Sequence, residues 1–278
     1  MKNRADQRHP VVILTSDDVI YGRVRDHLLR LRSHRHRAGT LFESGEARTA
    51  ARLTVALGMT ATSGIDAALV AERAVAEFAP AAMFFMAVGS SVSDDSAPGD
   101  VVVGTRVYAC PDGVNGTQGL LLRPHSWASS HELEQLARHV ASSGSWLNLL
   151  VSGREPRVQF KPVIASDFTA DRPLIWSIHE FREDAVSIGS QGAGFAGAAH
   201  LNPSVPSLTI AAIRSHVDGD GKKEAAAFAI ALARRIIDPP GLPDTRPVQH
   251  GESKKGKRSG SELTTVPPPS GSPLWLRR

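Results

Sequence analysis

Side chains able to move protons or grip a ligand gather at a few places in this 278-residue chain, each just after a run of apolar residues. Arg214-Ser-His-Val-Asp-Gly219 follows Leu208-Thr-Ile-Ala-Ala-Ile213. His216 ionises near pH ~6.5 when unperturbed and so suits a general acid, a role that the hydroxyl of Ser215 fills poorly. A single histidine in a turn is also ordinary surface. Asp17 and Asp18 follow Val11-Val-Ile-Leu-Thr15 and could handle a proton; an Asp pair ahead of an apolar helical face is equally the makeup of an N-cap and first-turn acid. The small turn Gly89-Ser90-Ser91, after Ala81-Ala-Met-Phe-Phe-Met-Ala-Val88, offers hydroxyl donors. After Pro162-Val-Ile-Ala165, Asp167 can accept a hydrogen bond and Phe168 can stack, or the pair can serve as helix cap and core residue. His34, His36, His125, His131 and His139 lack metal-ligand spacing, and neither a P-loop nor a nucleophile elbow is present, so no metal and no cofactor are expected.

The elements that must position these groups alternate along residues 11–238. Strands are expected at Val11–Thr15, Arg52–Leu57, Ala81–Val88, Val101–Tyr108, Val158–Ala165, Ala185–Ile188 and Ser207–Ile213. Helices are expected over Asp18–Arg32, Gly64–Phe78, His131–Ala141, Gly192–Leu201 and Lys223–Asp238. On this reading the basic run Arg30-Leu-Arg-Ser-His-Arg-His-Arg37 is a cationic helix end and solvated loop. Residues 109–129 form the longest irregular stretch, a candidate oligomer or substrate loop. Buried strands alternating with helices imply an α/β fold, a three-layer α/β/α sandwich with a central mixed, largely parallel sheet, in which ligands bind at the carboxyl ends of strands.

Composition bounds the rest. With 41% hydrophobic and 22% charged residues, the chain suits a soluble globular protein. The single cysteine, Cys110, excludes an internal disulfide and suits a reducing cytoplasm. Residues 1–10 are a polar lead without the apolar core of a signal peptide, and the longest apolar run, Ala81–Val88, is far below the ~20 residues that span a bilayer. From Pro239 onward there are seven Lys or Arg against three Asp or Glu, which accounts for the whole-chain net charge of +4 and leaves residues 1–238 formally neutral. That tail, 239–278, holds eight of the 18 prolines and is expected to be a disordered basic extension. Its Lys254-Lys-Gly-Lys-Arg258 cluster is a solvated charge run, and a nucleic-acid partner is not expected.

One string carries a family resemblance. Pro98-Gly-Asp-Val-Val-Val-Gly-Thr-Arg-Val-Tyr108, following the apolar run that ends at Val88, resembles the middle of the nucleoside phosphorylase superfamily, nearest by pattern to the methylthioadenosine/S-adenosylhomocysteine nucleosidases and their bacterial relatives. The resemblance implies a nucleoside phosphorylase-like domain over residues 11–238, a purine nucleoside or nucleotide as ligand, and a homo-oligomer. It also implies where the chemistry should sit. The family's Ala-Leu-x-x-Glu places its water-activating Glu at Ile20. Its Gly-Val-Ala-Gly-Gly turn falls on Gly89, Ser90 and Ser91, and its purine wall on Asp167 and Phe168. Val-Glu-Met-Glu-Gly becomes Ile188-Gly-Ser-Gln-Gly192, with Ser190 at the ribose-packing Met and Gln191 at the ribose-binding Glu. Ser-Asp-x-Ala-Asp-Gly becomes Arg214-Ser-His-Val-Asp-Gly219, with Ser215 at the acid that protonates purine N7 and Asp218 retained.

Glycosidic cleavage requires a protonated leaving base, a gripped ribose and a placed nucleophile, and Ser215, Gln191 and Ile20 stand at those three tasks. A general acid alone contributes roughly 100- to 10,000-fold. The expected function is therefore a degenerate nucleoside- or nucleotide-binding or regulatory pseudoenzyme. The alternative is an active purine nucleosidase or phosphorylase with Asp218 or His216 as relocated acid.

Overall fold

The computed structural model describes residues 9–48, 50–91, 96–109, 114–116, 119–121, 125–150, 155–165, 185–213 and 221–238. Twelve strands lie among them: β1 Val11–Thr15, β2 Leu28–Arg35, β3 Leu41–Ala47, β4 Ala50–Met59, β5 Ala82–Ser91, β6 Val101–Ala109, β7 Val114–Gly116, β8 Gly119–Leu121, β9 His125–Ala128, β10 Val158–Ala165, β11 Val186–Ile188 and β12 Ser207–Ile213. The α-helices are α1 Asp18–Asp26, α2 Gly64–Phe78, α3 His131–Ser143, α4 Gln191–Leu201 and α5 Gly221–Ile237, with a 3-10 turn at Ser145–Leu149 after α3.

Alternation along each strand sorts side chains to opposite faces of the sheet. Val11 and Ile13 of β1, Phe84 and Met86 of β5, and Ile210 and Ala212 of β12 pack with α1, α3 and α5. Val12 and Leu14, Met83 and Phe85, and Ala211 pack on the other side with α2 and α4. Both faces are covered, which is why these strands are apolar throughout. The expected three-layer sandwich is the observed architecture. Its strands run in the order β11-β10-β6-β12-β5-β1-β4-β3-β2, with β9 on β6 and β7 paired with β8 in a separate hairpin. β12, β5, β1 and β4 are parallel neighbours, whereas β6 is antiparallel to β12. β11 pairs with both β10 and the end of β5, so β5, β12, β6, β10 and β11 close into a ring.

Asp100 ties that ring together. Its carboxylate is fully buried and accepts from the backbone N–H groups of Ala97 (3.0 Å) and Arg157 (3.1 Å) and from Gln159 Nε2 (3.1 Å). Its carbonyl accepts from Ile213 N, while Gly99 N donates to the Ile213 carbonyl. One side chain thus joins the entrance of β6 to the entrance of β10, and its backbone holds the last residue of β12. Gly99, at φ 95°, supplies the left-handed turn that lets Asp100 face inward.

Two sequence expectations are corrected. The helix expected over Asp18–Arg32 ends at Asp26, and the stretch read as a cationic helix end lies mostly in β2, paired antiparallel with β3. A bulge between Leu29 and Arg32, with Arg30 at φ 55°, explains the misreading. The extra residue lets Leu28 and Leu31, three apart, both reach the same apolar cluster, which imitates the spacing of a helical face. Opposite the bulge a Cβ on Gly45 would stand 2.9 Å from the Leu29 carbonyl, so the approach needs glycine. The stretch 109–129, expected to be irregular, holds β7, β8 and β9. The C-terminal tail expected at 239–278 lies outside the described residues.

α1 is held to the hairpin by Glu43, which accepts from Tyr21 Oη (3.1 Å) and Arg25 Nε (2.8 Å). Burial, and then the Glu43 carboxylate, push the Tyr21 phenol up to about 12. At the other end of α1, burial pushes the His27 imidazole below its ordinary value; the Asp26 carboxylate opposes this and Arg48 adds to it.

Two outcomes follow. In Asp100→Asn an amide N–H faces at least one donor N–H in place of an acceptor, and urea denaturation should show a loss of about 2–3 kcal/mol. Because the His27 imidazole is depressed in the folded state, the unfolded chain takes up its proton first. The His27 contribution is therefore present above pH ~6.5 and lost as pH falls through the folded value. The urea midpoint should fall between pH 7.5 and 5, and His27→Asn should flatten that fall, as equilibrium unfolding at several pH values will measure.

Candidate functional site

Sheet register brings the predicted site segments to one place. Gly89, near the end of β5, is level with Ile213, the last residue of β12, and with Ile188, the last residue of β11. Ile188 in turn is level with Ala165, the last residue of β10. At about 4.8 Å between strands, the four positions span roughly 14 Å. Ser90 is exposed beside this line, whereas Gly89 is buried within it. Asp167 and Phe168 follow Ala165, and Ser215, His216 and Asp218 follow Ile213; these five lie outside the described residues. Ser190 and Gln191 follow Ile188 directly and open α4.

α4 can start here because glycines let it approach its neighbours. A Cβ on Gly192 would stand 2.4 Å from Ile188 Cδ1, and one on Gly194 would stand 1.7 Å from the Gly64 carbonyl oxygen at the start of α2. This contact sets Ser190 and Gln191 against the loop that precedes α2. Gln191 Nε2 donates to the Thr62 carbonyl at 2.5 Å, and its Oε1 folds back over Gly189. The hydroxyl of Ser190 is buried and has no partner among the described residues. Gln191 is thus a neutral amide with one of its N–H donors engaged by Thr62.

The end of β1 is built differently. Thr15 Oγ1 accepts from Asp17 N (3.1 Å), and Asp17 caps α1, its Oδ1 accepting from Ile20 N at 2.9 Å. Asp17 Oδ2 lies 2.7 Å from Lys222 Nζ in the first turn of α5, and both side chains are largely covered, with 24% and 19% exposure. Asp18 is exposed in the first turn of α1. The Asp pair therefore supplies the N-cap and the first-turn acid. Ile20, at the position of the family's water-activating Glu, is 0% exposed and packs in the apolar cluster with Val11, Ile13 and Val24.

Sequence reasoning missed Lys222, Thr60 and Glu224. Lys222, partly buried, pairs with Asp17 at the start of α1, Glu224 is buried in the first turn of α5, and Lys223 Nζ lies 3.7 Å from Glu224 Oε1. Thr60, 3% exposed, donates its N–H to the Thr15 carbonyl, while its hydroxyl has no partner among the described residues. Only the Lys-Lys-Glu run after Gly221 could have signalled any of this. Among the described residues no three His, Cys, Asp or Glu side chains group as metal ligands, and no helix is long and apolar enough to cross a membrane.

Solved structures share this fold. The 5′-methylthioadenosine/S-adenosylhomocysteine nucleosidase of Neisseria meningitidis, in complex with methylthio-immucillin-A, is similar with a TM-score of 0.63 and 16% identity over 82% of this chain and 98% of that one. The corresponding nucleosidase of Campylobacter jejuni gives 0.64 and 16% over 83% and 99%. The native futalosine hydrolase of Helicobacter pylori gives 0.65 and 14% over 83% and 98%. At such identities the likeness establishes the fold. No curated protein matches the chain in sequence. The family described as the Phosphorylase superfamily matches residues 10–238, and to that family this chain belongs.

Proposed function

We propose that this protein binds a purine nucleoside or nucleotide at the converging ends of β5, β10, β11 and β12 without cleaving its glycosidic bond, acting as a degenerate, regulatory member of its family. The observation that carries the reading is Ile20. It is sealed in the core beneath α1, so no carboxylate can approach a ligand from that position. Asp17, at the exit of β1, is engaged as a helix cap and by Lys222, which argues against its serving as a shifted general base, and Asp18 is exposed in the first turn of α1. The amide of Gln191 cannot supply the negative charge that would stabilise developing positive charge on a ribose. The exposed Ser90 is suited to hydrogen-bonding a sugar or base, and by the family resemblance Gly89, Ser190, Asp167 and Phe168 would be the further contacts.

The alternative is an active purine nucleosidase or phosphorylase in which Asp218 or His216 protonates the base. The nucleosidase and futalosine hydrolase folds that it resembles favour this reading. A homo-oligomer belongs to the proposal too: Ile65 and Leu69 sit one turn apart on α2 with 74% and 48% exposure, and such apolar surface suits a second copy of the chain. Cytoplasmic placement rests on the single cysteine.

Purified protein incubated with methylthioadenosine, S-adenosylhomocysteine, inosine or ATP should release no free base detectable by chromatography. At least one of these should give a binding isotherm by calorimetry. Base release abolished by Asp218→Asn would establish the enzyme instead, and absence of any binding would remove the ligand-binding reading.

A further inference from the structure

A cavity of about 400 Å³ opens at the far end of α4 between that helix, β9 and the beginning of β12. Gln191 and His200 stand nine residues apart on α4, so the rim of the cavity at His200 lies roughly 14 Å along the helix from the candidate site. Its floor is apolar and buried: Val107 and Phe195. Phe195 is fixed by stacking on Phe85, with ring centroids 5.4 Å apart and planes at 25°. One wall is Trp127, whose indole stacks against His125 at 6.2 Å and 19° and whose edge meets α4 at Gly197, where a Cβ would stand 3.6 Å from Cζ2. Glu132 and His200, both exposed, stand at the rim.

The walls are tied down before any ligand arrives. Ser129 Oγ donates to the Gly104 carbonyl and Ser129 N to that of Thr105, while Ser130 N donates to the Ser207 carbonyl. The turn between β9 and α3 is thereby fastened to β6 and β12, so Trp127 and Glu132 are held on opposite sides of that turn. A cavity of this volume, with an aromatic wall and floor and polar groups of Ser130, Ser207 and Thr209 also in its lining, has the dimensions of a small-molecule site. The one permanently charged side chain in its lining is the Glu132 carboxylate.

We infer that this cavity is a second, separate ligand site that takes a small planar aromatic molecule bearing a cationic amine. The aromatic part would enter between Trp127 and the Phe195 floor, where its area is removed from water. The ammonium would remain at the rim, attracted by Glu132 through a charge-assisted hydrogen bond and by the face of Trp127. An aromatic carboxylate of the same size meets the opposite field and is disfavoured. The inference does not depend on the nucleoside reading, because the two sites share no residue.

Three probes of one ring system separate the contributions: tryptamine, indole and indole-3-acetate, titrated into the full chain by calorimetry and by ligand-observed NMR. Tryptamine should bind about tenfold more tightly than indole and displace indole from the protein, and indole-3-acetate should bind more weakly than either. Glu132→Gln should bring tryptamine to the affinity of indole while leaving indole unchanged, a difference that a merely structural role at the start of α3 would not produce. Trp127→Leu should weaken all three. Equal affinity for the three probes on the unaltered protein, or no binding of any at millimolar concentration, overturns the inference whatever the variants do. Unchanged tryptamine binding in Glu132→Gln overturns it as well.

Discussion

A buried carboxylate with nowhere else to put its charge organises this sheet. Removed from water, Asp100 is tolerable only because several donors converge on it, and those donors come from separate segments of the chain. The entrance to β10 and the turn before β6 are brought to the same point by that one requirement, and the Asp100 backbone anchors Ile213 at the end of β12. The closed ring of β5, β12, β6, β10 and β11 depends on it. So does the alignment of Ala165, Ile188, Gly89 and Ile213 that defines the candidate site. The Pro-Gly-Asp string is a structural clasp whose effect is felt at the other end of the strands it joins.

The exit of β1 shows how local structure commits polar side chains. At the exit of β1 the chain turns at once into α1, and a helix that begins there needs a cap; Asp17 provides it and is further engaged by Lys222 across from α5. Three residues on, the first turn of α1 directs its side chain inward, and Ile20 fills the cluster beneath the sheet. An acid there would need either a partner or access to water, and the packing supplies neither. At the start of α4 the close contact of Gly194 with Gly64 presses Ser190 and Gln191 against the Thr62 loop, so the glutamine amide serves packing between α2 and α4.

Much of this was legible in the residues. The apolar runs of β1, β5, β12 and the first half of β6 are buried on both faces and need no pattern beyond hydrophobicity to be found. α2 announces itself by Ser63 as cap, Asp66 three residues later, and Pro80 past its end. The β2–β3 hairpin was not legible, because a bulge at Leu29–Arg32 converts the period of a strand into spacings that belong to a helix. The changes at Ile20, Gln191 and Ser215 were visible as residue types. What engages Asp17 was not, since its Lys222 partner is 205 residues away.

Sequence alone determined the fold class, the strand ends that carry polar residues, and the chemical types at each, because these follow from hydrophobic periodicity and from what each side chain can donate or accept. Tertiary structure decided what those side chains are already doing. It committed Asp17 to a cap and an ion pair, sealed Ile20, turned Gln191 toward Thr62, and opened a cavity beside Trp127. Each of these depends on residues far apart in the chain that meet only when the sheet closes and the helices pack on it.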